Sequence, residues 1–194
     1  MRRLVYLVAV TLDGFIAGPE GGDPSGSDAF PITPDLVELL ASTYPETLPG
    51  PARAAMGIEG PGRHFDTVVE GRASYQLGLD AGLDDAYPHL RHLVVSRSLA
   101  GRDDLPVEVV ADDPLARVRE LKAEDGLDVW LVGGGTLAHA LLPEVDRLVL
   151  KVNPTVLGSG ISLFAGPETS ARFTPVDQVD LAGGVRVVTL DRVR

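Results

Sequence analysis

Cysteine is absent from the 194 residues. That excludes disulfides, thiol catalysis and Cys-ligated zinc, and it removes the usual pointer to secretion. Lysine is nearly absent as well. Lys122 and Lys151 are the only two, so any phosphate bound here must be met by arginine, hydroxyls or backbone N–H groups. Base is scarce overall, with 17 Lys and Arg against 28 Asp and Glu for a formal charge of -11. A face that neutralises nucleic-acid phosphates needs clustered Lys and Arg, so nucleic acid is not an expected partner. Long apolar runs are missing too. The longest lie near Leu4–Val10 and Leu148–Val152, too short to cross a membrane. Arg2 and Arg3 before the first run imitate a signal peptide, but the run ends at Thr11-Leu12-Asp13-Gly14 with no small-residue cleavage site. The expectation is a cytoplasmic protein with a buried first strand.

What is present is ordinary globular material, 44% hydrophobic and 23% charged, with 22 glycines and 15 prolines that fall short of low complexity. The length predicts one domain over residues 1–194. Leu4–Val10 is continuously apolar, as in a strand covered on both faces. Gly18–Asp28 and Pro45–Arg63 read as loops that would wall a substrate cleft. Between them Thr33-Pro34-Asp35 starts a helix whose buried face is Leu36, Leu39 and Leu40. Further strands are predicted at Phe65–Val69, Arg91–Val95, Val107–Ala111, Val129–Val132 and Val145–Val152. Helices are predicted after Gly71, from Asp113-Pro114 to Gly126, and from Leu137 to Leu142. Arg172–Asp180 and Val185–Arg192 form a closing hairpin. The pattern is α/β, a mostly parallel mixed sheet flanked by helices with a C-terminal antiparallel hairpin.

Two strand-to-helix junctions carry chemistry. At Val69-Glu70-Gly71-Arg72-Ala73-Ser74 the glycine allows close backbone approach, the helix start attracts an anion, and Arg72 and Ser74 add donors. At Val132-Gly133-Gly134-Gly135-Thr136-Leu137 three residues without Cβ leave N–H groups on which a pyrophosphate could rest. Gly133, Gly135 and Ala138 also fit a dinucleotide fingerprint, but that pattern needs a carboxylate at the end of the next strand. Lys151-Val152-Asn153-Pro154 supplies none, which weakens a Rossmann-type NAD dehydrogenase. Ser96-Arg97-Ser98 offers a seat for the 2′-phosphate that separates NADPH from NADH. Trp130 reads as core, His139 as structural, and Asp13-Gly14 as the turn after the first strand.

Val8-Ala9-Val10-Thr11-Leu12-Asp13-Gly14-Phe15-Ile16-Ala17, Gly71-Arg72-Ala73-Ser74-Tyr75, Ser96-Arg97 and Val132-Gly133-Gly134-Gly135-Thr136 follow the order seen in the dihydrofolate reductase fold. With Pro154-Thr155-Val156-Leu157-Gly158-Ser159-Gly160-Ile161-Ser162-Leu163-Phe164, the chain more closely resembles dihydrofolate-reductase-like proteins grouped with the C-terminal reductase domain of the bifunctional riboflavin-biosynthesis deaminase-reductase. The resemblance implies an NADPH-dependent oxidoreductase acting on a pterin- or pyrimidine-like heterocycle, with homodimer formation common among relatives. Gly71, Arg72 and Ser74 would meet the cofactor phosphates, and Ser96 and Arg97 the 2′-phosphate. Val132, Gly133, Gly134, Gly135, Thr136 and Leu137 would cradle the pyrophosphate. Ala9, Val10 and Ile16 would line a dry nicotinamide pocket.

Asp35 resembles the carboxylate that supplies the proton in the folate enzyme; otherwise it only stabilises a helix start. Glu70 departs from the pattern, where relatives carry an apolar residue. A carboxylate there repels a phosphate unless it points elsewhere or pairs with Arg72. Without cysteine the chain has no zinc deaminase half, so a free-standing reductase domain is the expectation. The alternative is a non-catalytic nucleotide- or small-ligand-binding protein on the same fold.

Overall fold

Strand β1, Leu4–Thr11, is central because its residues are apolar on both sides, and in the computed structural model, which describes residues 1–194, it is flanked on both edges. In chain order follow β2 (Phe15–Ala17), α1 (Pro34–Thr43), α2 (Gly50–Ala55), β3 (Phe65–Gly71), α3 (Arg72–Asp80), β4 (Arg91–Val95), β5 (Glu108–Val110) and α4 (Pro114–Ala123). Then come β6 (Asp128–Gly133), α5 (Gly135–Leu141), β7 (Val145–Asn153), β8 (Ile161–Ser162), β9 (Phe173–Asp180) and β10 (Arg186–Arg192). Eight strands form one sheet in the order β5-β4-β3-β6-β1-β7-β10-β9. The pairs from β5 to β7 are parallel, and β10 is antiparallel to both β7 and β9. This is the expected α/β sheet with its closing hairpin. No helix is long and apolar enough to cross a membrane.

The two faces of the sheet bury different clusters, as strand alternation requires. Leu4, Tyr6, Val69, Leu131 and Leu148 pack against α4 and α5 through Val118, Leu121, Leu137 and Leu141. Val5, Leu7, Val68, Trp130, Val149 and Val187 face the other way, toward Leu39 and Tyr44 at α1 and Tyr87 in the loop before β4. Trp130 is core: it is 4% exposed, donates to the Leu7 carbonyl at 3.2 Å and meets Tyr87 edge-on at 4.9 Å.

Three local expectations need correction. Pro45–Arg63 is not simply loop: it holds a single 3-10 turn, Pro45–Thr47, and helix α2. Glu46 within it lies away from the glycine turns. Buried Glu46 accepts from the N–H groups of His64 and Phe65 at 2.6 and 2.9 Å. It therefore sits at the start of β3, about 20 Å of strand away from Gly71 at about 3.3 Å per residue. A small second sheet, β2 with β8, pairs Phe15 with Ser162; its two- and three-residue strands are too short to leave a periodic signal. Thr33 occupies the N-cap of α1 but makes no capping hydrogen bond, because its hydroxyl goes to Asp35.

Candidate active site

The C-terminal ends of β3, β4 and β6 meet at one edge of the sheet. Glu70 is paired with Gly133, and Gly71 with Val95. A Cβ on Gly71 would lie 3.5 Å from the Gly133 carbonyl oxygen and 3.7 Å from the Gly134 nitrogen, so the two junctions read separately in the sequence touch. Both α3 and α5 start from a glycine N-cap with no side-chain cap. Their first N–H groups thus lack intrahelical partners and face the same region.

The three consecutive glycines are not equivalent. Gly133 is needed for its backbone, with φ at +129°, a region closed to most L-residues. Gly135 is needed for close approach, since a Cβ there would collide with the Ser162 carbonyl oxygen of β8, and its own carbonyl accepts from Ala165 at 3.0 Å. Gly134 has φ of -81° and nothing within 4 Å of where its Cβ would be. It is the open member. Leu137 turns its side chain into the core and can offer only backbone to a ligand, whereas Thr136 is exposed.

Beside these turns lies a cavity of about 420 Å³ whose walls include Arg72, Ser96, Arg97, Ser98 and Asp112. Arg72 donates to Gln76 at 2.5 Å through one terminal nitrogen, while its other terminal nitrogen is buried without a partner. A buried guanidinium N–H left unpaired is costly, and an anionic oxygen satisfies it best. Ser96 is buried, its hydroxyl 3.1 Å from that of Ser98, and Arg97 is exposed at the rim. Ser74 is half-buried in the first turn of α3. Asp113 also lines the cavity, but its carboxylate is spent on the Ala116 N–H at 2.9 Å, capping α4.

Glu70 faces away from this cavity. It is 3% exposed, and its carboxylate lies 2.8 Å from His92 Nε2, while His92 Nδ1 is 2.7 Å from Asp85. Burial pushes the imidazole pKa down, but hydrogen bonds and charge from Asp85 and Glu70 outweigh it and raise His92 to about 9. His92 is therefore cationic at neutral pH and neutralises Glu70. The sequence shows Glu70 and His92 but not their pairing, for they are 22 residues apart on neighbouring strands.

On the other side of β1, Ala9 pairs with Lys151 and buried Val10 with Val152. Ile16, in β2, reaches the glycine turn through β8, whose Ser162 carbonyl abuts Gly135. Asp13 accepts from Thr11, Leu157 and Gly158, with 2.7 Å to the Gly158 N–H, and so ties the turn after β1 to the loop before β8. Asp35 accepts from the Thr33 hydroxyl, from Leu36 at 3.0 Å and from Gly183 at 3.2 Å. The Thr33 bond first, then Gly183, holds its carboxyl below the usual range. The engaged carboxylate joins α1 to the hairpin turn.

The profile of the RibD C-terminal domain matches residues 83–187, and the chain belongs to that family. Among curated proteins it is 28% identical over 197 residues to YyaP of Bacillus subtilis, covering 95% of this chain and 92% of that protein. A pyrimidine reductase-like protein of Corynebacterium diphtheriae superposes with a TM-score of 0.66 at 14% identity, over 100% and 92% of the two chains. The diaminohydroxyphosphoribosylaminopyrimidine deaminase/5-amino-6-(5-phosphoribosylamino)uracil reductase of Thermotoga maritima gives 0.62 at 16%, over 99% of this chain and 57% of the longer one. These structures share the fold. The family supports an oxidoreductase acting on a pyrimidine-like substrate.

Two predictions concern the architecture of this edge. His92 has a folded-state pKa near 9 against an ordinary 6.5, so its contribution is complete below about 6.5 and disappears as pH rises through 9. Replacing it, His92→Leu, leaves two carboxylates without their cation. The variant should lose about 3–5 kcal/mol at pH 6–7, with the gap to wild type closing by pH 10 in denaturant melts; a gap independent of pH would refute the charged state. Gly135→Ala should cost about 1–3 kcal/mol by overpacking, while Gly134→Ala melts close to wild type.

Proposed function

We propose that the chain is an NADPH-dependent reductase of a pterin- or pyrimidine-like heterocycle. The buried, unpartnered Arg72 guanidinium nitrogen carries the reading, set beside two uncapped helix starts and a cavity with Ser96 and Arg97 in its wall. These features suit a ligand with several phosphates. Arg72 and Ser74, with the N–H groups around Gly71 and from open Gly134 to Leu137, would hold the pyrophosphate. Ser96 and Arg97 would hold the 2′-phosphate, opposed by Asp112 in the same wall. Ala9, Val10 and Ile16, with Val132, would form the dry wall against the nicotinamide. When bound, the reduced cofactor supplies a hydride. The chain's own work is to orient the two reactants, exclude water and deliver a proton.

Asp35 is assigned to orientation. Its hydrogen bonds set the position of α1 against the hairpin turn and with it one wall of the acceptor side.

Thermal shift and Trp130 fluorescence with NADPH and NADH test the assignment. NADPH should raise the melting temperature and quench the indole. Arg97→Ala should weaken NADPH by about 10–100-fold, the worth of one charged hydrogen bond at roughly 1.5–3 kcal/mol, and leave NADH nearly unchanged. Equal losses would remove Arg97 from the 2′-phosphate. Gly134→Val should fold yet bind neither cofactor, and retained affinity would refute the seat.

A further inference from the structure

Lys151 is a basic residue of the sheet with no side-chain partner. On β7, Leu148 and Leu150 pack into the α4–α5 face and Val149 into the α1 face. Alternation places Lys151 on the α1 face, two residues beyond Val149. Its strand neighbours are Ala9 and Val187, so a cation projects among apolar residues directly beside the β1 position assigned to the nicotinamide wall. Lys122, the other lysine, is saturated by Glu144 at 3.2 Å and Asp146 at 2.7 Å. Lys151 has no such partner. Burial is the only influence on it and lowers its pKa to about 8, although the residue is half-buried and remains reachable.

Other charged and titratable groups share this face. Arg147 on β7 is paired with Asp191 on β10 at 2.6 Å. Tyr44, at the end of α1, has its pKa raised chiefly by burial, with Arg147 and Thr189 opposing and Asp177 and Glu46 adding; Asp177 on β9, opposite Thr189, is an exposed carboxylate on this same face. Asp35 is held by Thr33 and Gly183. Asn153, next along the same side of β7, is buried and donates to the Lys151 carbonyl at 3.1 Å and toward that of Val10 at 3.4 Å, which braces the strand end that carries the lysine. A half-buried ammonium with no carboxylate or carbonyl partner, flanked by Ala9 and Val187 on a braced strand, is placed to meet a ligand at this strand end.

We infer that Lys151 is the proton donor to the heterocyclic acceptor. This rests on the reductase reading above. The acceptor is a ring bearing C=N or C=O, reduced by a nicotinamide dinucleotide. As hydride adds to the carbon, the π pair of the double bond moves to nitrogen or oxygen, which takes a proton from the Lys151 ammonium. The neutral amine then regains a proton from water. Positive charge opposite the heteroatom also stabilises the negative charge that develops there.

Because the protein has two lysines, 13C-labelled lysine provides a direct readout. Wild type should show two Cε signals, with Lys151 titrating near pH 8. In the presence of NADP+, 7,8-dihydropterin or 5,6-diaminouracil should shift the Lys151 signal and leave Lys122 in place. Lys151→Met should fold with an equal or higher melting temperature near neutral pH and bind NADPH like wild type, but lose that ligand response. Dihydropterin-dependent NADPH oxidation should fall about 10²–10⁴-fold, the usual worth of a positioned acid. The wild-type rate should decline above about pH 8 as the ammonium deprotonates, and Lys151→Arg should abolish that decline. A Lys151 signal unmoved by both heterocycles while NADPH binds overturns the inference alone, as does unchanged turnover in Lys151→Met. Failure of wild type to bind NADPH overturns the reductase reading and this inference with it.

Discussion

A carboxylate can lie buried one residue before the proposed anion-binding turn only if a cation meets it, and here the 2.8 Å contact between Glu70 and His92 does so. Without it, Glu70 would repel any phosphate approaching Gly71 and Arg72. It would also sit as an uncompensated charge in the core at the end of β3. Asp85 completes the arrangement from the loop before β4. His92 thus couples β3, β4 and that loop into one electrostatic unit, and β3 can present Gly71 and Arg72 to a ligand because its last buried residue is already neutral.

The same local logic explains how a chain of formal charge -11 keeps an anion seat. Arg91 and Arg117 are bound to Glu108, and Arg91 also to Glu124. Arg147 is bound to Asp191. Such pairs cancel at short range, and salt screens exposed charges beyond about 10 Å. What a ligand meets at the cavity is therefore not the net charge. It is Arg72 with an unfilled donor, Arg97 at the rim and the positive ends of two helices, set against Asp112 in the same wall.

Much of the fold was legible because it is written in period and punctuation. The apolar strands β1, β3, β4, β6 and β7, the glycine turns and the closing hairpin were each recognised within a residue or two of their observed bounds. What escaped was whatever depends on which strands are neighbours. The Glu70–His92 pair follows from β3 lying beside β4 in register Glu70 to Val94, which no local pattern encodes. The separate tasks of Gly133, Gly134 and Gly135 depend on β8 crossing above one of them. Pro45–Arg63, rich in turn residues, read as a cleft wall because composition reports exposure and not the end of the sheet to which a segment returns.

The sheet therefore presents two different polar features on its two sides of β1. Toward β3 and β4 there are hydroxyls, N–H groups and a guanidinium that reward a multiply charged ligand. Toward β7 there is one half-buried, unpaired ammonium beside Ala9 and Val187. Central β1 separates the two, and its Ala9 adjoins the ammonium. The proposed reaction, with hydride delivered at that strand end and a proton from the far side, uses this division. Binding charge on one side must not compensate the acid on the other, and the absence of any carboxylate beside Lys151 keeps its proton available to the acceptor.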